Sequence, residues 1–377
     1  MARFTLFGLS ALLLFLQNLS AQPLRDGRIF DDGATLSGPS SSAPEELSRM
    51  NSYLGQWDVR IKTATSDTTY HTAAGVAMVT PMNRGHAIME RLHCPDFNGR
   101  GDELNTVSFL VFNQVIRLWT MGVASSFAEN ITIFDGTGDG PDLLLTNAIR
   151  RNGSTVVTQY QLTLDSLSAD SLLLTLKTSD DGGGNWRLHQ EKSYFRREPD
   201  SSFMVGGDTF GSPAPDRPDK AREFDFLIGD WTAQQEITLP GGQVARFPSN
   251  PSAVHLLNGH AILEHDWYDV DPDLPEAATS IVRIYNRAMR RWECMYLTNR
   301  FNSILYFGGK KEGDRIVLTL FETDSGESTI SYFIFHDVEK DRYRWHAQLS
   351  RDRGRTFDTT WTIDTRRRIP EKTTTPH

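Results

Sequence analysis

This chain repeats itself, and that restricts its fold more than any other feature. Tyr53-Leu54-Gly55-Gln56-Trp57 is matched by Leu227-Ile228-Gly229-Asp230-Trp231 at an offset of 174 residues. Gly85-His86-Ala87-Ile88-Met89-Glu90 is matched by Gly259-His260-Ala261-Ile262-Leu263-Glu264 at the same offset. Phe112-Asn113 with Trp119 falls on Tyr285-Asn286 with Trp292 at 173. Ser179-x-Asp181-x-Gly183-x-x-Trp186 falls on Ser350-x-Asp352-x-Gly354-x-x-Phe357 at 171, as Arg196-Arg197 does on Arg367-Arg368. Motifs kept in order at a nearly constant offset mark a duplication, and units of this length can each bury a core of their own.

The division that follows places the two units at 47–198 and 223–368. Residues 199–222, with Gly206-Gly207, Pro213, Pro215 and Pro218, read as a linker. Residues 22–46 read as a flexible lead and 369–377 as a tail. Within a unit, short alternating runs end at Gly, Asp and Asn. Tyr343, Trp345, Ala347 and Leu349 share one face of a run while Arg344, His346 and Gln348 share the other. That is the pattern of an up-and-down antiparallel sheet, and enough such strands close on themselves and remove their edges. The expected fold class is all-β, with two antiparallel barrels in tandem.

The Gly-x-Trp opening, the meander and the terminal Arg together resemble the lipocalin (calycin) superfamily. More narrowly, Phe226-Leu227-Ile228-Gly229-Asp230-Trp231 is similar to the F-L-x-G-x-W opening of a bacterial lipocalin-like family of unknown function, which also has a late S-x-D-G-G-x-x-W turn. The first copy departs at the opening, with Asn51-Ser52-Tyr53 where the second has Asp225-Phe226-Leu227. The resemblance implies lipocalin-like barrels with internal cavities and names no single ligand or reaction. It also implies that Trp57 and Trp231 plug the closed end of each barrel, with Arg197 and Arg368, or their neighbours, lying over them in a cation–π contact.

Candidate ligand-binding residues are His86, Glu90 and Trp119 in the first copy and His260, Glu264 and Trp292 in the second. Period-two alternation puts His86, Ile88 and Glu90 on one strand face, and His260, Ile262 and Glu264 likewise. At roughly 3.3 Å per residue, the His and Glu of one strand stand about 13 Å apart, too far for a direct acid–base dyad. The plain alternative has one at a barrel mouth and the other paired with an Arg or Lys, since buried ionisable groups are paired. Trp119 and Trp292 face either a cavity or the outer sheet. Asp181 and Asp352 belong to a turn resembling the Asp-box hairpin, which implies turn stabilisers in place of acids.

The remaining features set the compartment and prune the chemistry. Arg3, the apolar run Leu6 to Leu16 and the small residue Ala21 have the layout of a signal peptide (1–21) cleaved near Ala21-Gln22, giving a periplasmic or secreted protein. Losing Arg3 alone takes the formal charge from −9 to −10, which argues against a nucleic-acid partner. No run long enough for a membrane helix follows. Cys94 and Cys294 sit at non-equivalent positions and are expected as buried free thiols, and no metal spacing is present. No nucleophile elbow, phosphate loop or dinucleotide fingerprint occurs. The expectation is an exported container for a small, largely apolar ligand, with no cofactor and an undetermined oligomeric state. Alternatives are an enzyme using the His/Glu groups at a barrel mouth, a haem barrel with His86 or His260 as axial ligand, and a structural protein with filled barrels.

Overall fold

The computed structural model describes residues 38–139, 142–150, 157–200, 212–239, 241–268, 277–324 and 327–368. The signal-peptide expectation for 1–21 lies outside the described residues. The first unit is a ten-strand meander: β1 (Gly55–Ala64), β2 (Tyr70–Met82), β3 (Ala87–Cys94), β4 (Leu104–Asn113), β5 (Leu118–Ser125), β6 (Asn130–Gly138), β7 (Leu143–Arg150), β8 (Val157–Ser168), β9 (Ser171–Ser179) and β10 (Arg187–Arg196). Every neighbouring pair is antiparallel, and β1 pairs with β10, so the sheet closes without an edge.

The second unit repeats this with β11 (Gly229–Thr238), β12 (Val244–Ser249), β13 (Ser252–Leu256), β14 (Ala261–Tyr268), β15 (Ala277–Asn286), β16 (Arg291–Thr298), β17 (Ser303–Glu312), β18 (Arg315–Asp324), β19 (Glu327–His336), β20 (Arg342–Ser350) and β21 (Asp358–Arg367), closed by β11 against β21. The extra strand is β2 cut in two. β12 and β13 both pair with β11, and the cut falls at Asn250-Pro251, where proline has no N–H for the ladder. The chain is a tandem of two closed antiparallel barrels.

The Gly-x-Trp motif builds the floor of each barrel. Trp57 and Trp231 are fully buried, and their indole N–H groups donate to the carbonyls of Tyr53 and Leu227 at 2.9 and 2.7 Å. The arginines over them are Arg196 and Arg367, each with its guanidinium 4.2 Å from the ring centroid, and not Arg197 and Arg368. Register decides this: Trp57 pairs with Arg196 and Trp231 with Arg367, so the next residue turns outward, and Arg197 pairs with Asp58. Arg196 and Arg367 also donate to the carbonyls of Leu54 and Ile228, at 2.9 and 2.8 Å. The glycine of the motif follows. Gly55 and Gly229 have φ of +128° and +111°, and a Cβ there would sit 2.8 or 2.7 Å from the arginine Nη1.

The barrels lie side by side. Ala87 and Met89 of β3 and Phe109 of β4 share one buried cluster with Ala261 and Leu263 of β14 and Val282 of β15. β6 touches β15 and β16 while β17 touches β4 and β5, which is the same contact with the copies exchanged. The seam is therefore isologous, as in a two-fold dimer fused into one chain. Gly122 and Met295, equivalent at an offset of 173, meet each other near the centre, where a Cβ on Gly122 would be 2.0 Å from the Met295 sulfur. The described ends of the segments read as lead and linker are packed. Ala43 lies on the first core, and Arg217, 5% exposed, bonds Asp225 at 3.0 Å. Pro39 and Pro44 match Pro213 and Pro218 at 174, so the repeat begins before the first strand.

Cys94 and Cys294 are free and buried in different barrels. Burial pushes the Cys294 thiol up to about 12 and raises that of Cys94. Both are poor nucleophiles in consequence.

Candidate ligand-binding cavities

The Gly-His-Ala-Ile-x-Glu segment divides its residues among three places. Asn83, Arg84 and Gly85 all take positive φ, forming a left-handed turn that ends at His86, so alternation begins only at Ala87. Gly85 and Gly259 lie against the backbone of Ser40 and Ala214, where a Cβ would come within 2.4 and 2.1 Å. His86 consequently leaves the face expected from period-two spacing and enters the seam. Its Nδ1 is 3.0 Å from Asn302 Oδ1 of the second barrel and its Nε2 is 3.0 Å from Ser42 Oγ. His260 does the same with Glu129 of the first barrel at 4.0 Å and Asp216 at 3.7 Å. Asn302 is equivalent to Glu129, and Asp216 to Ser42, at offsets of 173 and 174.

The ring nitrogens of both histidines face seam residues, hydrogen-bonded in His86 and at longer range in His260, and burial lowers the pKa of each. His86 and Glu90 thus face different compartments and do not share one acid–base site. Neither histidine lines either barrel cavity.

Glu90 and Glu264 do point inward. In barrel 1, Glu90 is 3% exposed and accepts hydrogen bonds from the hydroxyls of Tyr53 and Tyr194, with Lys192 Nζ at 4.0 Å. Burial raises its pKa, and Lys192 and Tyr194 pull it back. In barrel 2 the positions of Tyr53, Lys192 and Tyr194 are occupied by Leu227, Ile363 and Thr365. Glu264 instead pairs with Arg283 at 2.6 Å, and Arg283 occupies the place of Leu110 in the first copy. The carboxylate is common to both barrels, while its partners have been rebuilt.

Trp119 and Trp292 are fully buried inside their barrels near the floor, outside the cavity walls. The Trp119 indole N–H donates to Gly138 O at 3.1 Å, and that of Trp292 to Glu223 Oε2 at 3.2 Å. Asp181 and Asp352 lie in hairpin turns. Asp181 accepts from Ser179 and from the N–H of Asn185, and Asp352 from Ser350 and the N–H groups of Arg355 and Thr356. These donors hold both carboxyls well below the usual carboxylate range.

The two interiors differ in size. Barrel 1 holds a cavity of about 500 Å³, within the roughly 300–1,000 Å³ usual for small-molecule sites. Met121, Phe134, Leu162, Leu174 and Leu176 form its apolar wall, Glu90, Lys192 and Gln190 lie along it, and Phe97, Arg100 and Phe127 line it from the loops at the end away from Trp57. Barrel 2 holds about 120 Å³, walled by rings including Phe333, Phe335, Tyr343, Trp345 and Trp361, with Glu264, Asp266 and Arg283 among them. Alternation along β14 could have placed Asp266 and Tyr268 beside Glu264. Nothing in the repeat pointed to Lys192 or Arg283, because neither has a charged counterpart in the other copy.

No family model matches the chain, and no curated protein sequence matches it. Among solved structures it is similar to an S-type phycobiliprotein lyase from Guillardia theta, with 8% identity and a TM-score of 0.29 over 40% of this chain and 92% of that one. It is also similar to a protein of unknown function of the DUF3598 family from Nostoc punctiforme PCC 73102, with 10% identity and a TM-score of 0.22 over 85% of this chain and 98% of that one. At these values neither likeness bears on ligand or chemistry. No described helix is long and apolar enough to cross a membrane.

Proposed function

We propose that the protein is a carrier or sequestering protein whose first barrel binds a small amphipathic molecule, and that it works outside the cytoplasm after loss of residues 1–21. The observation that carries the reading is the barrel 1 cavity of about 500 Å³, apolar along Leu162, Leu174 and Leu176 and polar around Glu90 and Lys192. The apolar wall favours a hydrocarbon or aromatic body. Lys192 and the neighbouring Gln190 offer hydrogen-bond donors to a polar group on it. Barrel 2, at about 120 Å³, is too small for the same molecule.

The neutral fluorescent probe N-phenyl-1-naphthylamine tests this. One probe should bind per chain with enhanced emission, and Leu176→Trp, which fills the cavity, should weaken binding at least tenfold without lowering the melting temperature. Equal binding by wild type and variant, or no binding by the folded wild type, sinks the reading. The export component requires mature protein recovered from outside the cytoplasm to begin at Gln22, and a chain that retains Met1 there would refute it.

A further inference from the structure

The cavity of the second barrel is lined by a second carboxylate besides Glu264, unrelated to the reading for the first barrel. Asp266 is on β14, two residues beyond Glu264, and its side chain lines the aromatic cavity. It is 9% exposed, and Gln235 Nε2 donates to its Oδ2 at 3.0 Å. Gln235 is itself held by the Trp361 indole N–H, which donates to Oε1 at 2.9 Å, and by Ser249, 2.6 Å from Nε2. The carboxyl is thus oriented by a fixed chain of side chains, yet its Oδ1 has no hydrogen-bond partner. Leaving a buried acceptor unpaired is costly, of order 1–3 kcal/mol, and such a group calls for a donor from something else.

The charges select the donor. Glu264 is neutralised by Arg283 at 2.6 Å, and Arg283 also lies over the rings of Phe224 and Phe335, at 5.3 and 5.6 Å. Burial and, after it, Glu264 disfavour the charge of Asp266, and no cation is among the groups that act on it. Tyr268 and Tyr296 are the other titratable groups close to it, and Arg300 acts on those two tyrosines. His265 points the other way, to Ser280 in the seam. A carboxyl without a counter-ion, inside a cage of Trp345, Trp361, Tyr343 and Phe333, suits a cation that also carries N–H donors.

We propose that the cavity of barrel 2 binds a small primary amine in its ammonium form, the N–H groups meeting Asp266 Oδ1 and the apolar body packing among the aromatic rings. The volume of about 120 Å³ limits the body to a few carbons, since the cavity known to hold benzene is larger, at roughly 150 Å³. Burial pushes the carboxyl of Asp266 up to about 8 in the empty site. At lower pH it holds a proton, which must leave before it can pair with the ammonium. Amine affinity therefore rises with pH until the carboxyl is ionised.

The test is calorimetric titration of the full chain with isobutylamine and propylamine, against isobutanol and propanol, at pH 8.5 and 6.5. Both amines stay protonated over that range. At pH 8.5 the amines should bind at least tenfold more tightly than the alcohols. Their affinity should fall roughly 25-fold at pH 6.5, the change in the ionised fraction for a pKa of about 8. Asp266→Asn should remove both the preference for amines and the pH dependence. Bound amine should leave N-phenyl-1-naphthylamine in place, which separates this site from barrel 1. Equal affinity for amine and alcohol, no binding of either, or amine binding indifferent to pH overturns the proposal. The wild-type pH comparison stands even where the variant fails to fold.

Discussion

Replacing Arg283 with Met is expected to destabilise the protein by about 3–5 kcal/mol, because it leaves Glu264 as an uncompensated charge inside barrel 2. Arg283 is 2% exposed, and its Nη1 lies 2.6 Å from Glu264 Oε2. The rings of Phe224 and Phe335 also lose the guanidinium over them. The loss should come mainly from the stranded carboxylate and less from missing contacts. The double variant Arg283→Met/Glu264→Gln should accordingly recover more than half of it in denaturant unfolding. Additive losses would show that the two side chains are not coupled in the folded protein. The same logic makes Glu90 tolerant of single changes, since two tyrosines and Lys192 share it.

The second large effect belongs to the seam. Gly122→Leu should cost about 3 kcal/mol, at the upper end for an overpacked core, because the new side chain enters the space of the Met295 thioether. Met295→Ala alone should cost about 2–5 kcal/mol by leaving a cavity among Val107, Phe109 and Val282. Together the two changes roughly conserve volume across the pseudo-axis, so the double variant should be more stable than either single one. Both effects should appear in one cooperative unfolding transition, since the seam residues form a continuous core between the barrels. Two separate transitions in the wild type would contradict a seam of this strength.

Much of the fold was legible because duplication prints the same structural demand twice. Gly55 and Gly229 recur since each makes room for an arginine over a tryptophan, and Gly85 and Gly259 recur since each lies against a strap of backbone. Register decides which of two adjacent arginines faces inward, so of the pairs the sequence offers, Arg196 and Arg367 lie over the tryptophans in place of their neighbours Arg197 and Arg368. Alternation extended through a left-handed turn puts His86 and His260 on the strand face of Glu90 and Glu264, whereas the turn sends them to the seam. Their recurrence reflects the seam, a demand that no pattern within one copy reveals. Lys192 and Arg283 became visible only once strand curvature brought distant residues around each cavity.

The most direct measurement of barrel 1 as a container is a crystal of the full chain soaked with 6-bromo-2-naphthol, an aromatic body with one hydroxyl and an anomalous scatterer. The expected result is a single strong bromine peak inside barrel 1, among Leu162, Leu174 and Leu176, with the hydroxyl toward Lys192 and Glu90. Bromine found only on the outer surface or in the seam at saturating concentration, with the barrel 1 cavity filled by protein side chains, would contradict it.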